Sequence, residues 1–344
     1  MKTKLFTICL VLLAFVGSVN AHVWTVSNNA ITAGHFTSIQ TAADSSSVGD
    51  TIYVMGSPTD YGNVTIKTRV TMIGAGYAVT GTQNNWVSIV DNIYLDTVSG
   101  GNVISGTRIM GMDIGSYFQQ TGSGAINSID IERCYVGYYL YVFGSNWTIR
   151  NCDLDNINIQ NSGNVFIQNN FIESIYNSNQ TTVNFDHNNF VTYSGNAFGT
   201  ISNALITNNI FYFCNPAASC TSCTFSNNMT TASATINLNA YAGNTGSGNV
   251  FAFAASTGWT DGTIPGSTVS ENTIWNYKWT LKSTSPGHAA STDLTTDIGV
   301  YGGSYPMPNL TGATRIPQMV LMNVSGVAPV GGNLNVNFIS KVQH

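Results

Sequence analysis

From residue 131 onward, short apolar and polar positions alternate inside a repeating unit. Segments 131–136 (IERCYV), 149–154 (IRNCDL), 167–172 (IQNNFI) and 185–190 (FDHNNF) start 18 residues apart, 206–211 (ITNNIF) follows after 21 and 225–230 (FSNNMT) after 19. Segment 248–251 continues the pattern with its amide displaced, and 109–114 and 70–76 read as degenerate upstream copies. The period-two alternation and the β-branched and aromatic content predict a strand, a bend and a second strand in each unit, with no helical period. One such unit cannot bury its own apolar side, whereas stacked units can, so the pattern predicts a solenoid. Ile131, Ile149, Ile167, Phe185, Ile206 and Phe225 occupy its inward position, one coil apart at the ~4.8 Å spacing of paired strands.

A column of amides selects among solenoids. Asn170, Asn188, Asn209 and Asn228 hold one position of the repeat, with Cys134 and Cys152 in the units before them. Asn tolerates the left-handed backbone of a sharp bend, and its side chain both donates and accepts, so stacked amides satisfy each other. We therefore expect these four to be structural and buried, as in a parallel β-helix. A leucine-rich solenoid is the competing architecture, but the leucine framework is missing.

Both ends of the repeat region bear on its kinship. Segments 36–43 (FTSIQTAA), 49–54 (GDTIYV) and 70–76 (VTMIGAG), together with 281–287 (LKSTSPG) and 297–301 (DIGVY), resemble the opening and closing segments of pectate-lyase-like right-handed β-helix proteins. The resemblance covers about residues 33–303. It implies an all-β, right-handed parallel β-helix whose first stretch is a short helix capping the open end. It is specific for fold rather than activity, because one fold hosts many functions.

The termini read differently. Lys2 and Lys4, an apolar run over 5–16 and the small residues Val19 and Ala21 form a secretory signal pattern cleaved after Ala21. The run is about 12 residues, short of the ~20 that span a bilayer. The expected organisation is a signal peptide over 1–21, a β-helix domain over 22–303 and a tail over 304–344, placing the mature chain outside the cell or on its surface, without a transmembrane segment. Residues 317–323 and 334–341 read as two strands about a Gly331-Gly332 turn. They either pack on the solenoid or serve sorting and attachment.

Composition narrows the function classes. Only 8% of residues are charged, against ~25% in ordinary globular chains. A net charge of −5 with 11 basic residues argues against nucleic acid. The neutral, hydroxyl- and amide-rich surface suits polysaccharide. Export permits disulfides, and we expect Cys214 to bond Cys220 or Cys223, with Cys134 and Cys152 as buried thiols. Cys220-x2-Cys223 has no second ligand pair at zinc spacing.

Candidate chemistry gathers over four units. Glu132, Arg150, Gln168 and Asp186 share an outward column, with Arg133, Asp153, Asp155, Glu173 and His187 near the bends. Read as a glycan groove, Glu132, Arg133 and Asp186 contact the ligand, and Arg150 or His187 acts as base. Asp153, Asp155 and Glu173 then supply hard oxygen ligands for Ca²⁺. Read without function, Glu132 and Arg150 are an ordinary cross-strand pair worth less than ~1 kcal/mol. Tyr135 and Phe171, with Tyr138, Tyr139, Tyr141 and Tyr193, are either sugar-stacking platforms or packing beneath loops. The Asn-Thr-Asp, Asp-Asp, His-Gly and Arg-Ile-Lys signatures of polygalacturonase-type hydrolases are absent. The expected function is polysaccharide contact without catalysis. The alternatives are a polysaccharide lyase acting on an acidic glycan and a structural or adhesive surface protein.

Overall fold

A computed structural model describes residues 21–30, 33–77, 86–97, 101–122, 124–176, 182–191, 195–216, 220–231, 243–250, 253, 258–259 and 277–307, and the strand segments 318–324 and 336–341. Residues 1–20 of the expected signal peptide (1–21) and Tyr193 lie outside the described residues.

The repeat folds into a parallel β-solenoid. Eleven strands, from Val23–Val26 to Thr245–Ser247, stack into a first sheet, and nine, from Val64–Ile66 to Met229–Thr230, into a second. Neighbouring strands within each sheet run parallel, and the register follows the sequence period: Ile149 pairs with Ile131 and Ile167, and Phe185 with Ile167 and Ile206. These side chains are fully buried between the two sheets, because period-two alternation places every second residue of a strand on one face.

A tight bend joins the two sheets in each coil. Its left-handed residue lies one position before the amide column, at Arg133, Asn151, Asn169, His187, Asn208 and Asn227, with φ between 53° and 58°. The column residues brace this bend without adopting its backbone. Asn188 Oδ1 accepts from Asn170 N and Nδ2, both at 3.0 Å. Asn188 Nδ2 donates to Ile167 O at 2.8 Å and Asn209 Oδ1 at 3.0 Å. Asn209 and Asn228 repeat the scheme, and the ladder ends on Asn249. Toward the N-terminus, Asn170 Oδ1 accepts from Cys152 N at 2.9 Å. Each of these amides therefore bridges three coils. Asn170, Asn188, Asn209 and Asn228 are 0% exposed.

The expected bond from Cys214 to Cys220 or Cys223 does not form. No disulfide joins the five described cysteines, all of which are buried. The Sγ atoms of Cys220 and Cys223 turn to the backbone oxygens of Pro216 and Thr221, at 3.3 and 3.4 Å.

The helix Ile39–Ser45 starts at Ser38, whose hydroxyl accepts from Thr41 N, and sends Ile39, Ala42 and Ala43 into the interior core. A second apolar cluster lies outside the first. Phe171, Ile210 and Tyr212 of the second sheet pack there with Trp259, Trp279, Leu281, Ile298, Val300 and Met307. The chain's own C-terminal region thus covers the later coils of this face. Beyond it, strands Gln318–Val324 and Val336–Lys341 pair antiparallel; the expected Gly331-Gly332 turn lies outside the described residues. Among the described residues no helix is long and apolar enough to cross a membrane.

Candidate functional site

The charged column becomes a compact ion-pair network on the outer face of the first sheet. Arg108 Nε lies 3.0 Å from Asp130 Oδ2, and Arg108 Nη2 lies 2.7 Å from Glu132 Oε2. Arg150 Nη2 approaches both carboxylates at 3.5 Å, and Arg133 Nε reaches Glu132 Oε1 at 3.5 Å. Burial pushes the Asp130 carboxyl up despite the two arginines beside it. Glu132 is 8% exposed, so this carboxylate faces its own arginines and not solvent. The Arg150 guanidinium stacks over Tyr305, 4.9 Å from the ring centroid. Three arginines and two carboxylates largely neutralise one another, a geometry that holds sheet and strap together.

The strap is the C-terminal segment over residues 290–305, which runs along the bends. The side chains of the left-handed residues hold it. Asn227 Nδ2 donates to Ala290 O, Asn169 Nδ2 to Val300 O and Gly302 O, and Asn151 Nδ2 to Tyr305 O. Asn208 donates to Thr292 Oγ1 and accepts from Thr292 N. A doubled amide, Asn-Asn, therefore divides two tasks: the first residue turns the chain and grips the strap, and the second builds the internal ladder.

His187 occupies the strap-gripping position. Its Nδ1 lies 2.9 Å from Asp186 Oδ1, which also accepts from Thr207 Oγ1 and Asn208 Nδ2. Burial pushes the Asp186 carboxyl up, but the hydrogen bonds from His187, Asn208 and Thr207 outweigh it and hold the group below the usual range. A carboxylate that orients an imidazole is an arrangement used in base catalysis. Here the ring is 4% exposed and packs beneath the strap. Any Cβ at Gly303, itself at φ +70°, would lie 2.8 Å from His187 Nδ1.

The expected metal set does not assemble. Asp153 and Asp155 are buried, and no three His, Cys, Asp or Glu side chains among the described residues group to hold an ion. In the ladder, Leu154 pairs with Ile172 and Asn156 with Ser174, so Asp155 and Glu173 fall between those pairs while Asp153 lies two positions away on its strand. Phe171, expected at the surface, is 1% exposed and packs on Trp279. Tyr135 stands between Asp113 and Asp153 in the register and faces Tyr77. Burial pushes the Asp113 carboxyl up to about 6. Burial first, and Asp153 second, push the Tyr77 phenol well above its ordinary value.

The remaining aromatics converge elsewhere. On the middle coils of the second sheet, strands Asp113–Thr121 and Tyr135–Ser145, with Tyr176 at the end of Phe171–Tyr176, present an open tyrosine face. Tyr117 stacks with Tyr139 at 6.4 Å and 11°, and Tyr141 with Phe143 at 6.3 Å and 15°. Tyr138 and Tyr176 flank Tyr139 edge-on and are each 47% exposed. Amides edge the face: Asn156 Oδ1 accepts from Ser174 Oγ, and Asn158 Oδ1 from Gln160 Nε2. A β-bulge produces it, since Gly137 and Tyr138 stand against the single Asp155 of the next coil. Gly137 is required there, because a Cβ would lie 2.7 Å from Gly115 O.

Sequence reasoning missed Arg108, Asp130, Tyr117, Tyr176 and the strap. The available signal was the pair 114–118 (IGSYF) and 136–140 (VGYYL), 22 residues apart, a longer spacing than the 18-residue unit. Comparison with known proteins supplies no kinship: no family model, no curated protein and no solved structure matches this chain.

Proposed function

We propose that this chain is an exported right-handed parallel β-helix of the pectate-lyase-like kind. In this reading it contacts extracellular or cell-surface polysaccharide without transforming it. Residues 1–21 act as the leader, and the helix Ile39–Ser45 closes the N-terminal end of the stack. The observation that carries the reading is the open tyrosine face. Half-exposed rings bordered by amides match a ligand with apolar ring faces and a hydroxyl rim. The groups weighed as catalytic are engaged otherwise: Arg150 in ion pairs and His187 beneath Gly303.

The test is a glycan array probed with the full chain, with and without Ca²⁺, alongside absorbance monitoring for unsaturated uronate. Retention on glycan without turnover is the expected result. Turnover of an acidic glycan would replace this reading with a lyase, and no retention on any glycan would replace it with a structural or adhesive rod.

A further inference from the structure

The two outer faces of the solenoid differ in charge. The nine strands of the second sheet contain no Lys or Arg at all, and of their acidic residues Asp91 is exposed, Asp96, Asp113 and Glu173 are half-buried, and Asp153 and Asp155 are buried. The first sheet carries Arg108 and Arg150, but both are engaged with Asp130 and Glu132. A ligand lying on the tyrosines therefore meets rings, amides and a carboxylate border that includes the exposed Asp91, with no guanidinium or ammonium on the strands to receive a uronate.

The ring geometry also fits an extended occupant. Tyr117 and Tyr139 stack across neighbouring coils, while Tyr139, Tyr141 and Phe143 follow one another along a single strand. The later coils of the same face are closed by Trp259 and Trp279, so the open part ends where the chain packs on itself. Resting on the carbohydrate reading above, we infer that the tyrosine face takes an uncharged glycan chain and discriminates against polyuronates. The rings supply stacking area and Asn156, Asn158 and Gln160 supply hydrogen bonds to hydroxyls. The acidic border repels an anionic polymer over roughly a Debye length, about 10 Å at 0.1 M salt.

Affinity electrophoresis of the full chain in gels containing xyloglucan, hydroxyethyl cellulose, glucomannan, polygalacturonate or chitosan tests this. Retardation by at least one neutral polymer is expected, insensitive to salt. Tyr139→Ala/Tyr141→Ala should weaken it at least tenfold, Tyr139→Phe/Tyr141→Phe should retain most of it, and Arg150→Ala should leave it unchanged. The Phe variant keeps the rings, so its failure to bind while still melting like the wild type would overturn the stacking account. Retardation only by polygalacturonate, or salt-sensitive retardation only by chitosan, would overturn the inference and leave the carbohydrate reading standing. Retardation by none of the five would sink both.

Discussion

At the scale of single residues, the strongest constraint is the buried amide. Asn188 makes four hydrogen bonds through its side chain. An apolar replacement takes the side-chain acceptor from Asn170 N and Nδ2 and one donor each from Ile167 O and Asn209 Oδ1 in the dry interior, with Asn209 Oδ1 keeping the Asn188 backbone N–H. Asn188→Leu should cost about 2–4 kcal/mol, since each orphaned buried polar group costs ~1–3 kcal/mol. An unchanged denaturation midpoint would show that the ladder carries no weight. Asp113 makes a pH-dependent contribution. Its carboxyl titrates at about 6 in the folded chain against 3.8 in the reference state, so the folded state binds the extra proton between those values. Its contribution is fully present below pH ~4 and is lost as pH rises through 6. The shift corresponds to at most ~3 kcal/mol at 1.36 kcal/mol per unit, and partial exposure reduces this to about 1–2 kcal/mol. Asp113→Asn should therefore raise stability relative to wild type at pH 7 and change it little at pH 4. Equal effects at both values would argue against a desolvated carboxyl.

At the scale of elements, the bend and the strap depend on each other. At four of the bends the left-handed residue is the short, polar Asn, and its side chain emerges where the strap passes, so Asn151, Asn169, Asn208 and Asn227 each hold it with a hydrogen bond. Such a segment opens as a local unit if its contacts are fewer than those of the coils beneath. Asn169→Ala/Asn208→Ala should accelerate amide exchange over residues 290–305 while the strand Thr148–Arg150 keeps its protection. Equal acceleration in both would show that strap and coils unfold together. The bulge at Gly137-Tyr138 acts at the same scale: one extra residue turns an ordinary strand into the platform edge.

At the scale of the molecule, coverage by the C-terminal region decides which outward residues meet solvent. Outward and inward positions were legible in the sequence because the strand period is two and the repeat keeps its register; the inward column at Ile131, Ile149 and Ile167 and the amide ladder follow from that alone. The same logic made Phe171, Asp153 and His187 outward, and outward they are, yet they are buried. Phe171 is covered by Trp279 and His187 by Gly302 and Gly303, residues more than a hundred positions later, and a local period carries no information about such distant packing. The charged column likewise read as a groove because stacking brings residues 18 apart together. The Glu132–Arg150 pair was legible from the repeat; the pairs made by Arg108 were not, since Arg108 and Asp130 join across a coil of different length. What the sequence by itself determined is the solenoid: register, core and ladder, all set by short-range alternation repeated in tandem. Only the tertiary structure decided the surface, because closing the later coils beneath Trp279 while leaving Tyr117, Tyr139 and Tyr141 uncovered depends on where the chain returns after the last coil.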